Sequence, residues 1–166
     1  GHESAKCSTR FTSAPAFLGS PHYWRSGEAT DAYEGARARI GRWFGVEDPG
    51  EIILLRGATE ALNLVANTLI DSLKLGDVIL VGETEHHANI VPWQMVAEKT
   101  GAAVRAFPME TDGSFHMSAM TDMISAKTRI ISIPHVSNVL GTVFPVAEIA
   151  KHARAVGALL LVDGCQ

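Results

Sequence analysis

Short apolar runs alternate with stretches of helical periodicity along most of this chain, and that alternation confines it to an α/β layout. The runs at 52–55, 78–81, 103–107, 129–133 and 158–162 are read as strands. A helix is expected over 28–44, where Ala32, Ala36, Ile40 and Phe44 recur at every fourth position and Tyr33 and Trp43 widen the stripe. Another begins near Thr59, with Leu62, Val65, Ala66, Leu69 and Leu73 as its apolar face. Further helices are expected over 89–99, 117–124 and 146–156, with Gly45, Gly101 and Gly157 as stops. Residues 1–27 are rich in Ser, Gly and Pro without periodicity and read as an irregular N-terminal arm. Residues 28–166 read as a three-layer αβα domain with a mainly parallel sheet, in which the wholly apolar run LLLV suits a strand buried on both faces.

At 166 residues and 46% hydrophobic content, one domain with a sizeable core is affordable. The formal charge of −4, with scattered Lys and Arg, speaks against a nucleic-acid binder, which needs a basic face to displace counterions. No apolar run has the length of a membrane span, and the start lacks the pattern of a secretory signal, so a cytoplasmic location is expected. Cys7 and Cys165 have no metal-like or CxxC spacing and are expected as reduced thiols.

Ligands of parallel sheets bind beyond the carboxyl ends of the strands, and the polar residues of this chain collect there. Gly57, Ala58 and Thr59 follow a strand and open a helix, which makes either an anion site or an ordinary helix cap. His86 and His87 are adjacent, so their side chains diverge, and no HExxH spacing is present; a metal site is disfavoured. A histidine here can stack on an aromatic ligand or serve as a hydrogen-bonded loop residue. Asn138 can donate to an oxygen on a bound ring or simply occupy a turn. Asp163 suits a protonated pyridine nitrogen, or a helix N-cap. Cys165 beside it reads as a small packing residue, because no base is assigned to activate it. Taken together, these groups meet the needs of a phosphorylated pyridine with a phenolic oxygen.

The segments RGATEALNLVAN, ETEHHANIVPWQMVAEKTGA, IPHVSNVLGTVFPV and GALLLVDGCQ resemble the group II cysteine desulfurase and selenocysteine lyase family, class V aminotransferase-like enzymes of fold type I that use pyridoxal 5′-phosphate (PLP). The similarity covers about residues 28–166, and HHANIVPWQ argues against kynureninase-like or epimerase-like relatives. The resemblance implies roles. Ala58 and Thr59 would hold the cofactor phosphate, His86 would stack on the ring, Asn138 and Gln166 would bond its phenolic oxygen, and Asp163 would pair with the ring nitrogen. It also implies that sulfur is taken from L-cysteine, leaving alanine.

Against the family pattern, the Ser-x-His-Lys segment that carries the Schiff-base lysine does not occur, nor does the small domain with the nucleophilic cysteine. Lys6, Lys74, Lys99, Lys127 and Lys151 lie in other contexts, so no catalytic residue is assigned and the chain alone is expected to be inactive. The chain is therefore read as an incomplete PLP-transferase large domain. The family sheet has seven strands, and two that are encoded later would separate 52–55 from the strand ending at Asp163. Strand 52–55 is accordingly expected to lose its neighbours, with repair by direct pairing to another strand of the chain, by strand exchange between copies or by homodimerisation. Two alternatives stand beside this reading: half of a split enzyme completed by a second chain, and a non-catalytic ligand-binding or self-associating module.

Overall fold

The structure, a computed structural model, describes residues 21–165. The chain divides into two compact units after Leu54. In the first, helix α1 spans Pro21–Phe44 and so begins ahead of residue 28. Proline's fixed φ suits a first helical turn, and the helix carries Gly27 inside it. A lone glycine costs a helix only ~1 kcal/mol, too little to break one this long. The remainder of the expected arm, residues 1–20, lies outside the described residues. The helix stops at Gly45, where the Val46 amide donates to the Gly41 carbonyl at 2.9 Å. Its apolar stripe is largely uncovered: Trp43 is 86% exposed and Phe44 71%. A 3-10 turn at Pro49–Glu51 follows, capped by Asp48, which accepts the Gly50 amide at 2.8 Å.

Residues 52–55 are not the strand expected of them. Ile52 is extended, but the segment joins no ladder among the described residues, and Ile53 is 64% exposed. Local apolar content suits a strand, but a strand exists only where a neighbour accepts its amides and carbonyls.

The second unit holds helix α2 (Ala58–Leu69), strand β1 (Val78–Gly82), helix α3 (Val91–Thr100), strand β2 (Ala103–Phe107), helix α4 (Met117–Thr121), strand β3 (Thr128–Pro134), helix α5 (Val146–Ala155) and strand β4 (Leu159–Asp163). All pairings are parallel, in the order β2-β1-β3-β4. Alternation along β1 explains the three layers. Val78 and Leu80, with Ile131 and Ile133 of β3, pack under α4 and α5 around Phe107, Met120, Phe144 and Ile149. Ile79 and Val81 face the other way, onto Ala66 of α2 and Trp93 and Val96 of α3. Pro92 is accepted in the first turn of α3, and Gly101 ends that helix at φ 77. A Cβ at Gly101 would also stand 2.8 Å from Leu75 Cδ1, so shape as well as backbone demands glycine there. At the sheet's amino end, Arg129 donates to Asp77 at 3.1 Å and ties the entry of β3 to that of β1.

The run LLLV is not buried on both faces. β4 is an edge strand, with Leu159 55% and Val162 37% exposed. The open apolar edge of this sheet is therefore at β4 rather than at residues 52–55.

Candidate functional site

The sheet order reverses between β1 and β3, and the crevice beyond the carboxyl ends at such a reversal is where open α/β sheets take their ligands. The chain leaves β1 through Glu83 and Thr84 into a buried knot. Glu85 and Asn89 are both buried, and the Asn89 side-chain amide donates to Glu85 Oε2 at 3.0 Å. Asn89 Oδ1 accepts from Trp93 Nε1 at 3.2 Å and from Ser132 Oγ at 2.7 Å. One side chain thus locks the loop after β1 to helix α3 and to strand β3. Glu85 precedes a 3-10 turn (His87–Asn89) that runs into α3, and Asn89 at the end of that turn stands four residues before Trp93.

Glu85 Oε1 is buried without a hydrogen-bond partner. Burial pushes this carboxyl up from 4.5 to about 7; the Asn89 bond opposes the rise, the Asp163 charge adds to it, and the His86 backbone opposes it. Sequence reasoning singled out the segment but gave Glu85, Asn89 and Ser132 no role. The only trace of it in the sequence is a single serine inside an apolar strand.

His86 follows at once. Its Nδ1 accepts the Ala88 amide at 3.1 Å, which leaves Nε2 to carry the proton of the neutral ring, and the ring is exposed. His86 and His87 meet edge-on at 78°, with centroids 6.3 Å apart. Asn138 is exposed on the loop after β3, which closes on itself through Ser137 N–H to Thr142 O and Gly141 N–H to Ser137 O, both at 2.9 Å. Buried Ser137 holds the loop by accepting the Val139 and Leu140 amides, and Thr142 Oγ1 donates to Gly113 O at 2.6 Å.

Asp163 is the last residue of β4, in register with Pro134, and the His135 amide donates to its carbonyl at 2.7 Å. Its carboxylate accepts the Cys165 amide, two residues on, at 3.1 Å. Cys165 is exposed and not a packing residue. Local desolvation and the hydrogen bond and charge of Asp163 hold its thiol above the ordinary value, which disfavours the thiolate.

Helix α2 ends where the chain turns into β1, so it runs antiparallel to that strand and its start lies toward the same sheet edge; it packs against the turn His87–Asn89. Its first intrahelical bond is donated by Ala61 to Gly57 O, so the amides of Ala58, Thr59 and Glu60 precede the ladder. Thr59 is exposed, and Ala58 is half-buried. The Arg56 amide is taken by Glu60 Oε2 at 2.8 Å. Gly57 sits at φ 155 and ψ 172, a conformation closed to other residues, although a Cβ there would touch nothing. Gly57→Ala is accordingly expected to cost about 1–3 kcal/mol through backbone strain alone, read by chemical denaturation. The structure thus brings His86, Asn138 and Asp163 to the exits of three neighbouring strands and turns the Thr59 end of α2 toward them. Gln166 lies outside the described residues.

The fold is that of a parallel α/β protein whose carboxyl edge carries a helix start with free amides, an exposed imidazole and a carboxylate. Residues 6–166 match the model of the aminotransferase class-V family, and the chain belongs to that family. Its relatives there are cysteine desulfurases. A probable cysteine desulfurase of Vibrio cholerae serotype O1 is 47% identical over 140 residues, which cover 84% of this chain and 35% of the relative. The cysteine desulfurase CsdA from Escherichia coli, in an S-sulfonic acid form, superposes with a TM-score of 0.83 at 31% identity, covering 98% of this chain and 41% of that one. A mutant of C-DES with glycine covalently linked to its PLP cofactor superposes at 0.77 over 98% of this chain and 42% of that one; at 23% identity it shows the fold alone. The chain spans about a third of the length of the curated relatives it matches.

Proposed function

We propose that this chain is the cofactor-cradling part of a PLP-dependent cysteine desulfurase acting on L-cysteine, and that alone it binds the cofactor without turnover. The observation that carries this reading is the convergence of His86, Asn138 and Asp163 on adjacent strand exits, with the start of α2 turned toward the same edge. The donor set suits the cofactor. The amides of Ala58 and Thr59 and the Thr59 hydroxyl would take its phosphate, since helix starts favour anions. The exposed face of His86 would cover the ring. Asn138 and Gln166 would bond the phenolic oxygen. Asp163 would hold the ring nitrogen protonated, and the bound group then supplies an electron sink.

The lysines explain the expected inactivity. Lys74 and Lys127 precede β1 and β3, at the sheet's opposite edge, and Lys99 lies in the last turn of α3, which leads to the start of β2. Lys151 lies within α5. None of these described lysines lies in the segments that form the ligand edge, so none is placed to attach the cofactor covalently. Lys6 lies outside the described residues. No helix among the described residues is long and apolar enough to cross a membrane, and the cytoplasm is the proposed compartment.

Titration of the purified chain with PLP, followed by absorbance, tests the pocket. Binding is expected, and Thr59→Val and Asp163→Asn should each weaken it roughly ten- to a hundredfold, the worth of one charge-assisted hydrogen bond. A wild-type chain that leaves the spectrum unaltered refutes the pocket. Sustained release of sulfide and alanine from L-cysteine by the chain alone refutes the proposed inactivity.

The unpaired apolar edge of β4 favours a second reading, in which another chain or a second copy docks strands there. Light scattering on the chain distinguishes self-association, as a homodimer or strand-exchanged oligomer, from a requirement for a different partner.

A further inference from the structure

Within the ligand edge, one buried group has no use in cradling a phosphate or a ring. Glu85 is 8% exposed, and its Oε2 is held by Asn89 while Oε1 meets no partner. A buried carboxylate oxygen left bare is costly; a buried carboxylic acid is far less so. The charge that reaches this carboxyl is that of Asp163, the residue proposed to face the ring nitrogen. Two carboxylates that feel each other resist being ionised together.

The other titratable groups that neighbouring elements bring to this edge are Cys165 beyond β4, His135 at the exit of β3, Glu83, His86 and His87 on the loop of Glu85 itself, and the ion pair of Arg56 with Glu60 at the start of α2. None of these is held against Glu85 by a side-chain hydrogen bond; the one such partner is the neutral amide of Asn89. Asn89 is in turn fixed by Trp93 and Ser132, so Glu85 cannot swing out to water without breaking the knot.

We propose that Glu85 is a proton-holding positioning residue: it keeps a proton while the Asp163 carboxylate stands unmatched, and gives it up when a cationic ring docks against Asp163. This rests on the pocket proposed above. The balance is simple. A protonated ring nitrogen neutralises Asp163, the O–H bond of Glu85 breaks, the proton passes to the buffer, and no electron moves. Ligand binding and proton release are then linked, each favouring the other by the same factor. The exchange is largest near neutral pH, where burial has moved this carboxyl. Ionised Glu85 adds a second negative charge behind Asp163 and widens the pH range over which the ring nitrogen stays protonated.

The test uses 4′-deoxypyridoxine 5′-phosphate, which keeps the ring nitrogen and phosphate but has no aldehyde to react with lysines. Calorimetric titrations of the chain at pH 7 in buffers of different ionisation enthalpy count the protons released. The wild type is expected to release more protons than Glu85→Gln, by at most roughly half a proton, because a group near its midpoint is about half protonated. Equal proton counts in the two proteins overturn the proposal and leave the pocket standing; absence of binding by the wild type overturns both. Should Glu85→Gln fail to fold or bind, carboxyl-carbon NMR of the wild type decides the matter. One glutamate must titrate near neutrality without ligand and at lower pH with it, and a glutamate whose titration ignores the ligand overturns the proposal.

Discussion

Replacing Asn89 by leucine is expected to destabilise the chain by about 3–5 kcal/mol, because each buried polar group stranded without a partner costs about 1–3 kcal/mol. Asn89 is fully buried and serves three partners: it donates to Glu85 and accepts from Trp93 and Ser132. Leucine keeps the branching at Cγ but is larger, so no cavity forms and the loss combines stranded hydrogen-bonding groups with some overpacking. Equilibrium denaturation by urea provides the measurement. The double variant Asn89→Leu, Ser132→Ala should recover part of the loss, since it removes one stranded hydroxyl. A loss below 1 kcal/mol would mean that water or a shifted backbone replaces the knot, and that the loop carrying His86 is not anchored as described.

The second large effect is on pH. Burial, reinforced by Asp163 and opposed by Asn89 and the His86 backbone, moves the Glu85 carboxyl from 4.5 to about 7. Between those values the folded chain holds a proton that the unfolded chain has released. The stability that Glu85 contributes is therefore full at the acid end of this window and falls as pH rises through it, by at most about 3 kcal/mol at 1.36 kcal/mol per unit. Glu85→Gln mimics the protonated side chain and should flatten this slope, making the variant the more stable protein above pH 7. Denaturation midpoints collected from pH 5 to pH 8, values set by the window above, provide the check. A wild-type profile as flat as that of the variant would place Glu85 in contact with water. Asp77 acts in the opposite sense. Burial raises its carboxyl, but the Arg129 hydrogen bond, the Lys74 amide and both charges outweigh that and hold it below its ordinary value. Its contribution is present at neutral pH and is lost only as acid protonates it.

The middle of the fold was legible because its rules are local. Buried β1 and β3 announce themselves as short apolar runs, and Gly101 ends α3 where its φ of 77 requires. The errors share one cause. Residues 52–55 and β4 have similar composition, yet one joins no ladder and the other lies at a sheet edge, and which strands find neighbours is a property of the whole sheet. The early start of α1 is a smaller failure of the same kind, since glycine and proline mark boundaries only on average. Polar residues at strand exits led to His86, Asn138 and Asp163, which follow or end β1, β3 and β4. Glu85 and Asn89 escaped notice because their importance lies in a hydrogen bond to Ser132, far away in sequence, which no local pattern encodes.

The reversal of strand order between β1 and β3 has a bearing on how this molecule comes into being. β2 lies beside β1, its predecessor, but β3 must cross over to the other side, closing a long loop that contains α3, β2 and α4 before its first ladder bond forms. Such non-local closure is slow, because entropy is spent before contacts return it. The Ser132 bond to Asn89 and the approach of Asp163 to Glu85 both wait on that event. The crevice therefore cannot exist before β3 has joined β1, and a nascent chain stalled before β3 would present helices and a strand pair but no place for a ligand to rest.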